Sequence, residues 1–159
     1  MKPLVSVIIP AAGLGLRFFG RGGSCLAGRR ARTAPTDKLY SQIAGKPLIA
    51  HTLTAFDASP FVKEIILAVQ PGTQARFRKE ILSQLPIKKP VRLVSGGRTR
   101  AESVWNALKQ VSKTSDHVCI HDGARPLVQT AWIDELIRNL NGWDGVVLGR
   151  RAVPTVKVF

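Results

Sequence analysis

A run of small residues, Ala11-Ala12-Gly13-Leu14-Gly15, is followed in this chain by Arg17. Small side chains let a backbone approach a phosphate or a base closely, and consecutive N–H groups in a tight loop can bind an anion. Arg17 and Lys38 are the nearest cations, and they could stabilise charge on a transferring phosphoryl group. The run lacks the complete dinucleotide fingerprint and the Gly-Lys-Ser/Thr of a P-loop, so a tight strand-to-helix turn is the alternative interpretation.

A second glycine turn, Ser95-Gly96-Gly97, precedes a predicted helix that starts near Thr99. The spacing of Thr99 and Glu102 predicts a capping box, in which each side chain accepts a hydrogen bond from a free backbone N–H. We therefore assign Glu102 a structural task and no role in catalysis. Ser103 falls in the first helical turn, where its hydroxyl could reach a base edge or face solvent.

The third motif is His121-Asp122-Gly123-Ala124-Arg125-Pro126. Asp122 could bind Mg²⁺, because carboxylate oxygens suit that hard ion, and Arg125 could bind a phosphate bidentately. An ion pair between these two residues that fixes a loop is the alternative for either residue alone. The three histidines of the chain have no metal-ligand spacing, and we interpret them as structural or incidental.

Five apolar segments are predicted strands: Leu4–Ile9, Glu64–Val69, Val91–Val94, Val118–His121 and Val146–Leu148. Helical spacing of apolar residues lies between them, after Pro47, over Thr73–Leu85, after Thr99 and after a capping Thr130. This alternation predicts an α/β fold with a Rossmann-like open, mostly parallel sheet and helices on both faces. Ligands bind such sheets at the carboxyl ends of the strands, which is where the three motifs lie.

The 159 residues carry 24 Lys+Arg against 10 Asp+Glu, a formal net charge of +14. Such an excess attracts polyanions, but charge alone does not distinguish nucleic acid from phosphorylated small molecules. The 45% of hydrophobic residues exclude a disordered polyelectrolyte. No apolar run approaches the roughly 18 residues that span a membrane. Two distant cysteines cannot form a disulfide framework, so we expect a cytoplasmic protein.

Taken together, the motifs resemble the 2-C-methyl-D-erythritol 4-phosphate cytidylyltransferase family. The matching segments are Ala11–Arg17, Lys38, Gly45–Leu48, Gly96–Val104, His121–Pro126 and Thr155–Lys157. The resemblance implies a nucleotide-diphospho-sugar transferase-like fold. It also implies transfer of CMP from CTP to methylerythritol phosphate, with release of pyrophosphate, in non-mevalonate isoprenoid biosynthesis.

The resemblance assigns roles residue by residue. Arg17 and Lys38 match the residues that stabilise the transition state. Asp122 matches a ligand of Mg²⁺ or another divalent cation. Arg125 and Thr155 match contacts to methylerythritol phosphate. The positions that match contacts to CTP are Ala11, Ala12, Gly13, Gly15, Gly97, Ser103 and Gly123.

The resemblance further implies a single nucleotidyltransferase domain over residues 1–159 that is incomplete at its C-terminus. Chains of the family continue past Phe159, and their additional part supplies a dimer-forming arm, a metal-binding acid and a lysine near CTP. We therefore expect a homodimer for the full-length protein. Residues 18–37 are predicted to form a basic Gly/Arg-rich loop that is longer than usual in the family, and Pro154 stands where the family usually has an acid.

Three alternatives stay open at this point. Ribitol-5-phosphate cytidylyltransferases share most of the same motifs, and other sugar-phosphate nucleotidyltransferases share the first one. A nucleic-acid-binding module would explain the charge, but the chain lacks the motifs and aromatic features of such modules. A nicotinamide-dinucleotide domain would need an acid at the end of the second strand, and Glu64 is poorly placed for that role.

Overall fold

The computed structural model of the chain describes residues 3–13 and 37–149. In chain order the elements are β1 (Val5–Pro10), α1 (Asp37–Tyr40), β2 (Gln42–Ile43), β3 (Lys46–Pro47), α2 (Leu48–Ala58), β4 (Val62–Val69), α3 (Gln74–Glu80), a 3₁₀ turn (Leu82–Gln84), β5 (Val91–Ser95), α4 (Arg100–Leu108), β6 (His117–Ile120) and α5 (Thr130–Arg138). Within these two ranges, no helix has the length and apolar character that crossing a membrane requires.

Four of these strands form one parallel sheet in the order β5-β4-β1-β6. In its register, Ile8 of β1 lies opposite Ile66 of β4 and Ile120 of β6. Strands β1 and β4 are buried along almost their whole length, as expected for continuous apolar runs that are covered on both faces. The predicted parallel sheet is confirmed.

Helices cover both faces of the sheet, which is also as predicted. On one face, Ala107 of α4 packs against Ile8 and Ile66. On the other face, α2, α3 and α5 contribute buried side chains to a larger apolar cluster, among them Leu53, Phe56, Phe77, Ile133 and Ile137. Each parallel strand is therefore held with its carboxyl end facing the same edge of the molecule.

Three sequence predictions about elements are wrong. Residues 146–148 do not form a strand, because no described strand pairs with them, and Val147 is 91% exposed. The helix predicted over Thr73–Leu85 ends at Glu80, and a separate 3₁₀ turn over Leu82–Gln84 follows it. Thr130 does not cap α5: the N-cap is Gln129, and the Thr130 hydroxyl donates to the Ala55 carbonyl of α2 at 2.9 Å.

A small antiparallel hairpin, β2–β3, joins α1 to α2 and was not predicted. Its turn residues Ala44 and Gly45 have φ of 48° and 76°, and glycine adopts this left-handed region without steric cost. The His51 ring nitrogen Nε2 lies 2.9 Å from the Ile43 carbonyl oxygen. This bond holds the hairpin against α2.

Candidate functional site

The carboxyl ends of the parallel strands open into a cleft of about 870 Å³. The turns after β1, β5 and β6 line it, together with α1. Nine sequence-predicted site residues lie in the described part of the chain, and all nine line this cleft: Ala11, Ala12, Gly13, Lys38, Gly97, Ser103, Asp122, Gly123 and Arg125. The structure thus brings together residues that are more than 100 positions apart in the sequence.

Three predicted site residues lie outside the described residues. They are Gly15, Arg17 and Thr155, and their roles stay predictions. The predicted basic loop over 18–37 also lies outside the described residues, except for Asp37 at the start of α1.

The turn after β1 continues the sheet for one residue, since the Ala11 N–H donates to the Ala68 carbonyl at 2.8 Å. This turn packs directly on the turn after β5. A Cβ added to Gly96 would lie 2.2 Å from the Cβ of Ala12, which is too short for two carbon atoms that are not bonded to each other. Gly96 therefore allows the two turns to meet where they line the cleft, a role that the sequence analysis did not assign to it.

Ser103 shapes the glycine turn at the start of α4. Its buried hydroxyl donates to the Thr99 carbonyl at 2.9 Å and accepts the Gly97 N–H at 3.0 Å. Because a hydroxyl has one proton, this arrangement leaves Ser103 only an acceptor position for a base. The predicted contact to cytosine remains a prediction.

The predicted capping box at α4 is confirmed. The Thr99 hydroxyl accepts the Glu102 N–H at 3.1 Å, and the Glu102 carboxylate accepts the Thr99 N–H at 3.3 Å. The same carboxylate also accepts the Arg98 N–H. Both of these bonds are to Oε2 of Glu102, in agreement with the structural task predicted for this residue.

Asp122 lies between two arginines. Its Oδ1 accepts hydrogen bonds from Nε and Nη2 of Arg100 at 3.1 and 3.0 Å, and its Oδ2 accepts one from Nε of Arg125 at 3.1 Å. Partial burial acts to raise the pKa of the Asp122 carboxyl. The hydrogen bonds and charges of the two guanidinium groups outweigh burial, so this pKa lies below its ordinary value. Asp122 is therefore ionised at neutral pH.

The donor chemistry of Asp122 fits one part of a magnesium site. Within residues 3–13 and 37–149, no three His, Cys, Asp or Glu side chains form a group that could hold a metal ion by themselves. Mg²⁺ is commonly bound through one or two carboxylates together with the phosphates of a substrate. Asp122 thus suits a metal ion that a nucleotide triphosphate brings, rather than one held in a protein cage.

The loop that carries Asp122 and Arg125 packs against α2. A Cβ on Gly123 would lie 2.8 Å from Cδ1 of Ile49 and 3.0 Å from Cγ2 of Ile9, so a larger residue would require these buried side chains or the loop to shift. The buried Thr52 hydroxyl lies 3.3 Å from both the Gly123 and the Arg125 carbonyl oxygens. Sequence reasoning missed Thr52, although a hydroxyl within an apolar helical stripe was the signal that could have found it.

His121 begins this third motif and packs edge-on against Phe56, with ring centroids 5.1 Å apart. Burial lowers the pKa of its imidazole, and the neighbouring Asp122 charge opposes that effect without cancelling it. Its Nδ1 has no hydrogen-bond partner in the described part of the chain. A neutral, packed ring agrees with the structural interpretation of His121.

The electrostatics of the cleft favour an anionic ligand. Four basic and two acidic side chains line it: Lys38, Arg98, Arg100 and Arg125, with Glu102 and Asp122. Both acids are already engaged, Glu102 with backbone N–H groups and Asp122 with arginines. The cleft therefore carries a net positive charge.

Comparison with known proteins agrees with this geometry. The family model of 2-C-methyl-D-erythritol 4-phosphate cytidylyltransferase matches residues 5–158. The enzyme of that name from Caldanaerobacter subterraneus is 36% identical over 133 residues, covering 83% of this chain and 59% of the relative. The Bacillus velezensis enzyme is 35% identical over 151 residues, covering 95% and 58%. The chain thus spans less than two thirds of the length of these relatives.

Solved structures give the same result. The 4-diphosphocytidyl-2C-methyl-D-erythritol synthase of Anaerococcus prevotii matches with a TM-score of 0.67 and 25% identity, over 89% of this chain and 53% of that one. A CMP:2-keto-3-deoxy-manno-octonic acid synthetase matches with a TM-score of 0.57 at 13% identity, which supports the fold alone. The predicted nucleotidyltransferase-like α/β fold is confirmed.

Proposed function

The chain belongs to the 2-C-methyl-D-erythritol 4-phosphate cytidylyltransferase family, and we propose that it transfers CMP from CTP to 2-C-methyl-D-erythritol 4-phosphate in non-mevalonate isoprenoid biosynthesis. The observation that carries this proposal is the convergence of three turns on one cationic cleft. Both substrates are anionic, and clustered basic side chains reduce their mutual repulsion. The cleft volume of about 870 Å³ also lies within the range of small-molecule sites.

The residues of the cleft divide the work as follows. The backbone at Ala11–Gly13 and Gly97 lies against the nucleotide, with Ser103 and Gly123 nearby, and the resemblance adds Gly15 to these contacts. Arg125 contacts methylerythritol phosphate, and the resemblance assigns the same role to Thr155. Asp122 would contribute to holding Mg²⁺ or a similar divalent cation, which would supply further charge neutralisation.

In the proposed reaction, an oxygen of methylerythritol phosphate forms a bond to the α-phosphorus of CTP. The bond from that phosphorus to the oxygen that bridges it to the β-phosphorus breaks, and pyrophosphate leaves with the electron pair. Lys38 and Arg17 stabilise the negative charge that accumulates in the crowded transition state. The chain contributes positioning and charge, which is most of what phosphoryl transfer requires.

Two observations weigh against a nicotinamide-dinucleotide domain and against a nucleic-acid-binding module. Glu64, the acid considered for a dinucleotide ribose, is buried at 3% exposure in the first half of β4, away from the carboxyl edge. The basic side chains in the described part of the site line a concave cleft rather than an open face, which suits a small anion better than a nucleic acid. A homodimer and a cytoplasmic location remain predictions that sedimentation and localisation of the full-length protein would test.

A pyrophosphate-release assay, run beside calorimetric titration with CTP, tests the proposal. With the full-length protein, we expect CTP binding in the presence of Mg²⁺, and pyrophosphate only when CTP, methylerythritol phosphate and Mg²⁺ are all present. Equal turnover with ribitol 5-phosphate would move the assignment to the ribitol-5-phosphate enzymes. Thermal stabilisation by NAD but not by CTP, or salt-sensitive DNA binding that CTP does not affect, would overturn it.

A further inference from the structure

Both carboxylate oxygens of Asp122 accept hydrogen bonds from arginine side chains. Arg100 donates twice to Oδ1 and Arg125 once to Oδ2, so one negative charge faces two positive charges. The other acid of the cleft, Glu102, is engaged with the backbone N–H groups of Arg98 and Thr99. A divalent cation that arrives alone would therefore meet a site of net positive charge.

A nucleotide triphosphate reverses this balance. It brings about four negative charges, and guanidinium groups bind phosphate oxygens in the same bidentate manner as carboxylates. Arg100 is the first residue of α4, and its side chain is 62% exposed, so it can turn toward a phosphate without loss of packing. Arg125 belongs to the same loop as Asp122. Arg100, in contrast, reaches Asp122 from the start of α4, next to the glycine turn after β5 that lines the cleft.

We propose that Arg100 is a positioning residue that keeps Asp122 closed to divalent cations until a nucleotide triphosphate enters the cleft. The phosphates draw Arg100 away from Oδ1, and the freed oxygen becomes available to the metal ion that accompanies them. This inference rests on the proposed function, because it requires a triphosphate in the cleft.

The coupling has a measurable consequence. Metal affinity of the chain is low without CTP and rises when CTP binds, and CTP affinity must rise by the same factor when metal binds. Removing the Arg100 charge should raise metal affinity in the absence of nucleotide by about tenfold, because one of the two charges that repel the ion is lost. The same change should weaken CTP binding.

The test measures Mn²⁺ binding to the chain by the loss of the free-ion EPR signal, with Mn²⁺ as the probe for the divalent site. The titrations are run without nucleotide on four proteins: wild type, Arg100→Gln, Arg100→Lys, and the double variant that combines Asp122→Asn with Arg100→Gln. Arg76→Gln is the matched control, since it removes the same charge from an exposed arginine–carboxylate pair that does not line the cleft. Circular dichroism checks that each variant is folded.

We expect Arg100→Gln to bind Mn²⁺ about tenfold more tightly than wild type, and Arg76→Gln to bind like wild type. Arg100→Lys should stay near wild type because the charge is kept, and the double variant should lose the gain. Equal Mn²⁺ affinity of wild type and Arg100→Gln would overturn the inference. A gain that survives Asp122→Asn, or that Arg100→Lys shares, would overturn it as well.

Calorimetric titration of the full-length wild-type protein with CTP distinguishes the role of Arg100 from the proposed function. Wild type that binds CTP while Arg100→Gln shows no gain in Mn²⁺ affinity contradicts the role of Arg100 and leaves the proposed function standing. Full-length wild type that fails to bind CTP contradicts the proposed function, and with it the coupling to nucleotide.

Discussion

Glu64 and Asp122 are each paired with arginine, and their surroundings differ sharply. Glu64 is 3% exposed; it accepts the Ser6 hydroxyl at 2.7 Å and the Ser112 N–H at 2.8 Å, and Arg92 lies 3.4 Å away. Asp122 is 36% exposed and is held by two arginine side chains that are themselves exposed. The Glu64 carboxylate is thus buried although the Arg92 side chain is 51% exposed, whereas Asp122 and both of its arginines are accessible and border the cleft.

This difference shows that a pairing of carboxylate with arginine can stabilise the fold at one position and border a ligand cleft at another. Removing a buried carboxylate leaves its donors unsatisfied away from water, and this costs stability. Exposed guanidinium groups can exchange a carboxylate for water or phosphate at little cost, since surface ion pairs contribute less than about 1 kcal/mol. Changes in the cleft should therefore alter binding and turnover, whereas changes around Glu64 should alter the free energy of unfolding.

The largest effect is expected from the two cations to which we assign transition-state stabilisation. Lys38→Ala and Arg17→Ala should each lower kcat by about 10²–10³, the usual cost of removing one charge contact to the transition state. The free energy of unfolding should stay within about 0.5 kcal/mol of wild type, as for ordinary surface substitutions. Pyrophosphate release and urea denaturation measure the two quantities, and near-normal turnover of either variant would remove that residue from its role.

The opposite pattern is expected for the buried Glu64 carboxylate. Glu64→Ala should destabilise the fold by about 2–3 kcal/mol, because the Ser6 hydroxyl and the Ser112 N–H lose their acceptor. Asp122→Ala is the matched control, since it removes the exposed carboxyl group in the same way, and it should cost less than about 1 kcal/mol. Equal losses of stability in urea denaturation of the two variants would contradict the distinction between the pairs.

A smaller effect is expected where the two turns meet. Gly96→Ala should cost about 1–3 kcal/mol of stability and weaken CTP binding, because its Cβ would overlap that of Ala12. Adding Ala12→Gly should restore part of both losses, since it removes the overlapping atom. Gly145→Ala is the control, as nothing lies within 4 Å of its added Cβ. A double variant no better than Gly96→Ala would show that close approach is not the cause.

The smallest effect concerns pH. The pKa of Asp122 is lower in the folded chain than its ordinary value of about 3.9, so its ion pairs stabilise the fold above that pH. This contribution is lost as pH falls through the lowered pKa. The difference in Tm between wild type and Asp122→Asn should therefore shrink on acidification from pH 6 to below pH 3. A difference independent of pH would contradict the charged contact.

Much of the fold could be predicted because its signals are local. The buried strands, their parallel arrangement and the capping box of Thr99 and Glu102 follow from periodicity and short spacings, and the structure confirms them. The same local reasoning failed for Thr130 and for residues 146–148. Thr130 prefers a carbonyl 75 positions away over its own helix, and an apolar segment becomes a strand only when another strand pairs with it.

By itself, the sequence determined the order of strands and helices, the excess of basic residues and the three motifs that point to a nucleotide. The tertiary structure decided which of those groups are held inside and which face the cleft. Glu64 and Asp122 are both acids in the sequence, and burial alone separates them. Contacts such as Thr52 with Gly123, 71 positions apart, arise only when packing brings distant segments together.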